Sequence, residues 1–273
     1  MTVKLVSDEK IAETSSKGNQ EKWFDAAAGL WYKLDQFGYE ALSETVVSTL
    51  LQHSNIETAH PFRFVRYNMQ RLKVHGRERT GCCSENFLLP GQNIVTLSHL
   101  FRQEFQEPLS RLLGRQTSDR KRIEWLAKTT AALTGLDDFP RYLTLLFETD
   151  ALFLNEDRHL NNIAVLQQGG TFDYCPIFDN GAALLSNTQL YRLDIDPAAH
   201  IKLLRARPFN TTFNRQVISA RNLFGAQLSV PKFTRTDILS ALEDILPYYA
   251  PRDRGLIADR VCACILTRQK MNA

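Results

Sequence analysis

Two hydrophobic patterns follow one another along the chain. Before residue 90, short runs in which apolar and polar residues alternate predict strands over 31–34, 62–67, 71–74 and 80–84. Between the first two runs, Leu42, Val46 and Leu50 recur at helical spacing and predict one helix over 39–52. This part of the chain therefore resembles a small sheet with one helix.

The second pattern is helical. Amphipathic or apolar periodicity predicts helices over 96–105, 120–134, 138–153, 236–246 and 254–269. One hairpin interrupts them, with strands over 163–166 and 172–178 around a turn at Gly169-Gly170. Strands with one helix, followed by helices with one hairpin, indicate an α+β fold of two unequal lobes, over 1–89 and 90–273.

Composition narrows the class of protein. With 273 residues, of which 44% are hydrophobic, the chain can bury a large core, and its net charge of +3 is weak. It has no apolar run of transmembrane length and no signal-peptide block at its start. We therefore expect a cytoplasmic protein with no membrane or direct nucleic-acid contact, and delivery to a host cell stays open. The five cysteines fit no zinc pattern and are expected to be buried thiols.

The candidate chemistry lies between residues 157 and 181. Asp157 and Asn162 have the separation of the carboxylate and amide in kinase catalytic loops, where the first faces the attacking hydroxyl and the second holds a metal. Asp179 follows the predicted hairpin, where a second metal-binding carboxylate is expected. Alone, Asp-Arg-His at 157–159 is common by chance and Asp-Asn-Gly at 179–181 is most often a turn, but together, in this order, they are far more specific. They predict a phosphotransferase that uses ATP and Mg²⁺, with Asp157 as catalytic base and Asn162 and Asp179 as metal ligands.

The order Asp-Arg-His at 157–159 resembles the HipA-like serine/threonine kinases and the phosphoinositide-3-kinase-like enzymes. The chain length favours the HipA-like side, and similar stretches lie at 16–23, 31–33, 38–40 and 81–88. The resemblance implies a bilobal kinase fold with a β-rich N-lobe, and a protein substrate with a Ser or Thr acceptor. It also implies an antitoxin-type regulatory partner. The resemblance does not extend to the subdomain that precedes the kinase core in HipA.

The same resemblance assigns the ATP half of the site. Lys33 is implied to hold the α and β phosphates, oriented by a helix carboxylate, for which Glu44 is preferred over Glu40. Glu85 and Phe87 are implied to contact adenine in a hinge over 84–88. The loop over the phosphates is implied to consist of Ser15, Ser16, Lys17, Gly18, Asn19 and Gln20, with Ser15 and Ser16 as candidates for autophosphorylation.

Three further groups leave alternatives open. Arg158 either neutralises a phosphate or fixes the catalytic loop, and His159 is expected to pack and bond the backbone more than to act as a base. The basic stretch over 111–128 is expected to be a solvated helix face. Arg205 and Arg207 lie on the substrate side by analogy, without showing which acceptor is preferred.

The sequence leaves two alternatives to a protein kinase function. The same site atoms serve a small-molecule or lipid kinase, or an enzyme that transfers AMP. A nucleotide-binding pseudokinase that acts as an interaction module is the third hypothesis, and the set of Lys33, Asp157, Asn162 and Asp179 argues against it.

Overall fold

The structure is a computed structural model that describes the backbone of residues 3–5 and 21–272, and the side chains of residues 21–270. Within these residues, no helix is both long and apolar enough to cross a membrane. The five cysteines are buried thiols.

Five strands form the first sheet, in the order β1-β4-β5-β3-β2. β1 runs parallel to β4, and the other neighbours are antiparallel. The register places Lys33 of β3 between Lys22 of β2 and Cys82 of β5. A small apolar cluster that includes Trp23 and Tyr32 covers the sheet. The strands are β1 (Val3–Leu5), β2 (Lys22–Asp25), β3 (Leu30–Leu34), β4 (Asn68–Val74) and β5 (Arg77–Glu85).

Helix α1 (Glu40–Leu51) lies between this sheet and the rest of the chain, and almost all of its residues are buried, including Ser43 and Glu44. Its apolar side chains belong to the same core cluster as those of the C-terminal helices. Tyr249 accepts the N–H of Leu42 at 3.2 Å, so the C-terminal region also contacts the start of the helix. A short helix α2 (Ile56–Ala59) follows.

The second sheet has three antiparallel strands in the order β6-β7-β8, and β6 adds to the predicted hairpin. The strands are β6 (Asn93–Thr96), β7 (Ala164–Gln168) and β8 (Thr171–Tyr174). The helices of this part are α3 (Leu97–Phe105), α4 (Leu109–Gly114), α5 (Asp119–Thr134), α6 (Phe139–Phe153), α7 (Pro197–Ile201), α8 (Phe213–Phe224), α9 (Arg235–Leu242) and α10 (Pro251–Asn272), with a 3₁₀ turn at Leu246–Tyr248.

Helix α6 is the centre of this part of the fold. Pro140 lies in its first turn, where a missing N–H costs nothing. Every residue from Tyr142 to Phe153 is buried, which explains an apolar pattern without a clear polar face. Leu154 adopts a left-handed conformation that ends the helix, so the loop that carries Asp157 starts from a buried element.

One predicted strand is wrong. Residues 62–67 are extended, but they pair only at a single parallel bridge between Phe64 and Ile177. The reason is that the N–H of Val65 donates to Ile177 and the N–H of Ile177 donates to Arg63, so the segment joins the chain leading to Asp179 and not the sheet. The sequence patterns also do not predict β1, β2, β6, α2, α4, α7 and α8. All of these except the 12-residue α8 have six residues or fewer, and such short segments carry little periodic signal.

Candidate active site

Lys33 lies at the centre of a buried charge cluster. Its ammonium bonds Glu44 of α1 and donates to Asp179 at 2.7 Å, and it lies 5.2 Å from the ring centroid of Tyr67. Burial alone would lower the pKa of Lys33, but the carboxylates of Asp179 and Glu44 raise it well above its ordinary value. The lysine is therefore a fixed positive charge beside Asp179.

The two candidate glutamates on α1 have different partners. Glu44 bonds Lys33 through Oε1, while its Oε2 accepts the N–H of Asn180 at 2.7 Å. Glu40, one turn earlier, accepts the N–H of Phe37 at 2.7 Å and two neighbouring N–H groups of the loop before the helix. Glu44 is thus the helix carboxylate that orients the lysine, and Glu40 caps a loop.

Asp179 has a left-handed backbone, with φ of 63°, which aspartate tolerates better than most residues. Asn155 donates to its carbonyl at 3.2 Å, and Ser43 of α1 donates to the carbonyl of Asn180 at 2.8 Å. Burial would raise the pKa of Asp179, but the Lys33 ammonium outweighs burial and holds the pKa well below its usual range. The carboxyl group of Asp179 is therefore ionised, and hydrogen bonds fix the backbone around it.

The contacts of Arg158 distinguish between its two expected roles, neutralising a phosphate and fixing the loop. Its side chain is 1% exposed and bonds Asp150 of α6 at 3.1 Å. The same guanidinium donates to the carbonyl of Phe178 at 2.6 Å and to Oδ1 of Asn180 at 2.9 Å. It fixes the loop that carries Asp157 against the segment that carries Asp179, and all of these contacts are inside the protein.

Asp157 and Asn162 lie on either side of a short loop. The amide nitrogen of Asn162 donates to the carbonyl of Asp157 at 3.1 Å, so its amide oxygen is the atom left for a ligand. The side chain of Asp157 is 54% exposed, and Nε2 of His159 lies 3.9 Å from its Oδ2. Partial burial raises the pKa of Asp157, His159 opposes this rise, and the negative charge of Asp179 adds to it.

A cavity of about 780 Å³ lies beside the loop that carries Asp157 and the segment that carries Asp179. This volume is within the size range of small-molecule and cofactor sites. Asp157, Asn162 and Asp179 all line the cavity. Its other polar lining residues are Lys22, Glu40, Glu156, His159, Asn161, Ser186, Asn187, Arg205, Arg207 and Asn210.

Sequence reasoning missed Lys22, Tyr67 and Glu156. Lys22 of β2 is the register partner of Lys33 on the neighbouring strand β3. Burial lowers the pKa of Lys22, and the charge of Asp179 partly offsets this effect. The only signal for Lys22 was its place in the 16–23 stretch. Glu156 accepts the hydroxyl of Tyr191 at 2.6 and 2.7 Å, a contact across 35 residues that no local pattern indicates.

Of the expected adenine and phosphate contacts, the structure describes only Glu85 and Phe87. Glu85 is the exposed last residue of β5, and the ring of Phe87 lies 6.1 Å from that of Phe178. Neither lines the cavity, although the loop after Glu85 connects the two sheets. Ser15, Ser16, Lys17, Gly18, Asn19 and Gln20 lie outside the described residues.

The donor set fits Mg²⁺. Asp179 and Asn162 offer a carboxylate and an amide oxygen to one cavity, and Mg²⁺ is usually held by one or two protein oxygens together with substrate phosphates. Among the described residues, no group of three or more His, Cys, Asp or Glu side chains forms a protein-only metal cage. A site of this kind needs the nucleotide to complete it.

Fold and site together define a kinase-like protein: a small sheet with one buried helix, a mainly helical second part, and the polar cavity between them. The structure of the Helicobacter pylori proinflammatory kinase CtkA is similar, with a TM-score of 0.58 and 13% identity over 95% of this chain and 94% of that one. The predicted α+β, kinase-like fold is therefore confirmed.

A HipA from Shewanella oneidensis MR-1, solved with HipB and operator DNA, gives a TM-score of 0.46 at 14% identity over 94% of this chain. The chain spans 64% of the length of that HipA. The likeness to the CtkA structure is a likeness of fold. No protein-family model and no curated protein sequence matches the chain.

Proposed function

We propose that the protein is an ATP- and Mg²⁺-dependent phosphotransferase of the HipA-like type that acts on a serine or threonine hydroxyl. The observation that carries the proposal is the chain of contacts from Glu44 through Lys33 to Asp179 beside the cavity that Asp157 and Asn162 line. A strand lysine, a helix carboxylate and a metal-binding aspartate are the parts that phosphoryl transfer needs in a kinase-like fold.

Each residue has one role in this proposal. Lys33 and Lys22 would neutralise phosphate oxygens, and Asn162 and Asp179 would hold Mg²⁺. Bound Mg-ATP supplies the γ-phosphoryl group and the metal charge that stabilises its transfer. Asp157 orients the acceptor hydroxyl and takes its proton, and the raised pKa of Asp157 makes it a better base than an ordinary aspartate. Arg158 holds Asp157 and Asp179 in one arrangement.

Transfer of label from γ-labelled against α-labelled ATP, with Mg²⁺ and a panel of peptide, lipid and sugar acceptors, tests the proposal. We expect γ label on protein or peptide and none from α-labelled ATP. The variants Asp157→Gln and Asp179→Asn should lose transfer while their melting curves remain cooperative.

Other outcomes favour the rivals. Incorporation of α label would indicate AMP transfer, and γ label on a lipid or sugar alone would indicate a small-molecule kinase. Thermal stabilisation by ATP without any transfer would favour a pseudokinase. Intact-mass analysis after incubation with Mg-ATP tests autophosphorylation at Ser15 or Ser16, and co-purification tests an antitoxin-type partner.

A further inference from the structure

Two guanidinium groups line the cavity without a carboxylate partner. Arg205 and Arg207 are exposed and belong to the segment that follows Asp179. Within residues 21–270, no carboxylate lies within 4.0 Å of either guanidinium, and Arg205 donates only to the neighbouring carbonyl of Leu204. Neither guanidinium therefore forms an ion pair with a described side chain.

The carboxylates of the cavity are already engaged. Glu40 accepts backbone N–H groups, Glu156 accepts the Tyr191 hydroxyl, and Asp179 accepts from Lys33. Asp157 has His159 beside it and is reserved for the acceptor hydroxyl in the proposed function. The two arginines therefore offer their charge to whatever enters the cavity next to Asp157.

The turn that carries Arg207 is held in place. Ala206 and Thr211 exchange backbone bonds of 2.7 and 3.3 Å, which closes the turn. The buried side chain of Gln216 donates to the carbonyl of Arg207 at 2.9 Å, and the ring of Phe209 packs edge-on against Phe147 of α6. Pre-organisation of this kind lowers the entropy cost of binding an anion. The charge of Arg207 also reaches the catalytic loop, since it opposes the rise in pKa of Asp157.

Apolar surface adjoins the two arginines. Leu190 and Leu203 line the same cavity and are 66% and 71% exposed. Large exposed leucines next to a polar site suit a polypeptide with its own apolar side chains better than a small polar acceptor.

We propose that the acceptor is a polypeptide segment with acidic residues close to the phosphorylated serine or threonine, and that Arg205 and Arg207 are the specificity-determining residues that pair with its carboxylates. This inference rests on the proposed function and names its substrate class. Guanidinium–carboxylate pairs can be bidentate, and complementary charges across an interface favour the matching partner over one of like charge.

Steady-state phosphorylation of a peptide series tests the inference. The peptides have one serine and equal length, and carry Glu, Gln or Lys at the flanking positions. For the unaltered protein we expect kcat/KM to be about tenfold higher for the Glu than for the Gln peptide, and lower again for the Lys peptide. The double variant Arg205→Gln, Arg207→Gln should bring the Glu-to-Gln ratio close to one. The charge-reversed variant Arg205→Glu, Arg207→Glu should prefer the Lys peptide.

Lys202→Gln is the matched control, because it removes one exposed positive charge from the same segment outside the cavity lining. Its Glu-to-Gln ratio should equal that of the unaltered protein. Equal rates on all three peptides, or a preference for Glu that survives in the double variant, would overturn the inference while leaving a protein kinase in place. Transfer only to a lipid or sugar would overturn it too. Absence of transfer to every acceptor would remove the proposed function and this inference with it.

Discussion

The backbone N–H of Asn180 donates to Oε2 of Glu44 over 2.7 Å, while the other carboxylate oxygen of Glu44 bonds Lys33. One buried glutamate on α1 thus fixes both the strand lysine and the residue that follows Asp179. Together with Ser43, which donates to the carbonyl of Asn180 at 2.8 Å, Glu44 couples the position of α1 to the geometry of the Asp179 segment.

Glu44→Gln should impair transfer more than Glu40→Gln. The amide of glutamine keeps one acceptor but loses the charge that balances Lys33, whereas at position 40 an amide oxygen still accepts backbone N–H groups. We expect kcat/KM for ATP to fall at least about tenfold for Glu44→Gln, equivalent to about 1.4 kcal/mol. Glu40→Gln is the matched control. Equal activity of the two variants would contradict the role given to Glu44.

Arg158→Gln should destabilise the protein strongly. The change leaves the carboxylate of Asp150, which is 1% exposed, without its charge partner. Loss of one member of a buried ion pair typically costs about 3–5 kcal/mol. Urea unfolding measures this loss, and the double variant Asp150→Asn, Arg158→Gln should regain part of it. The exposed Arg111→Gln, whose partner is Glu107 on the surface, should leave the midpoint unchanged. An unchanged midpoint for Arg158→Gln would refute the assignment.

Tyr191→Phe should reduce transfer while leaving the fold intact. The hydroxyl of Tyr191 holds Glu156, next to Asp157, at 2.6 and 2.7 Å. Burial raises the pKa of Glu156 and the tyrosine hydrogen bond opposes that rise, so the pKa of Glu156 should increase further in the variant. The acidic limb of the pH–rate profile should move to higher pH, with a stability loss of about 1 kcal/mol.

Tyr174→Phe provides the control for a lost tyrosine hydroxyl. Its oxygen accepts the N–H of Asp138 at the start of α6, outside the cavity lining. If both variants give the same pH–rate profile, the contact between Tyr191 and Glu156 has no special role in the reaction.

Asp35 should make stability fall as the pH rises. Burial raises its pKa from 3.8 to about 8, and the nearby charge of Glu40 adds to this, while the N–H of Ala41, the hydroxyl of Tyr249 and the charge of Arg79 oppose it. Between these two pH values the folded state holds a proton that the unfolded state has lost, so unfolding becomes easier with increasing pH.

Melting temperatures from pH 5 to pH 9 measure this dependence. Asp35→Asn should flatten the curve and be the more stable protein above pH 8, with a gain of about 2–4 °C for each kcal/mol. Asp137→Asn, which removes an exposed carboxylate, should follow the unaltered protein. Parallel curves for the unaltered protein and Asp35→Asn would show that Asp35 is ionised in the fold at neutral pH.

The sequence by itself determined the kinase-like fold and the segment that holds the candidate site. Helical spacing located α1, α5 and α6, because their apolar residues recur at a regular period that survives in a single chain. The separation of Asp157, Asn162 and Asp179 singled out one segment as the candidate site, since kinase-type loops require those residue types in that order.

Only the tertiary structure decided which distant groups meet. Glu40 and Glu44 share a helix face, and the choice between them came from the fold of the segment at 178–180 around α1. The sequence is equally compatible with Arg158 as a phosphate ligand and as a residue that fixes the loop. Only the structure shows its buried ion pair with Asp150. Contacts such as Tyr191 with Glu156 join residues far apart in the chain, and no local period records them. Side-chain packing, not sequence spacing, sets such contacts, so only the structure shows which residues line the cavity together.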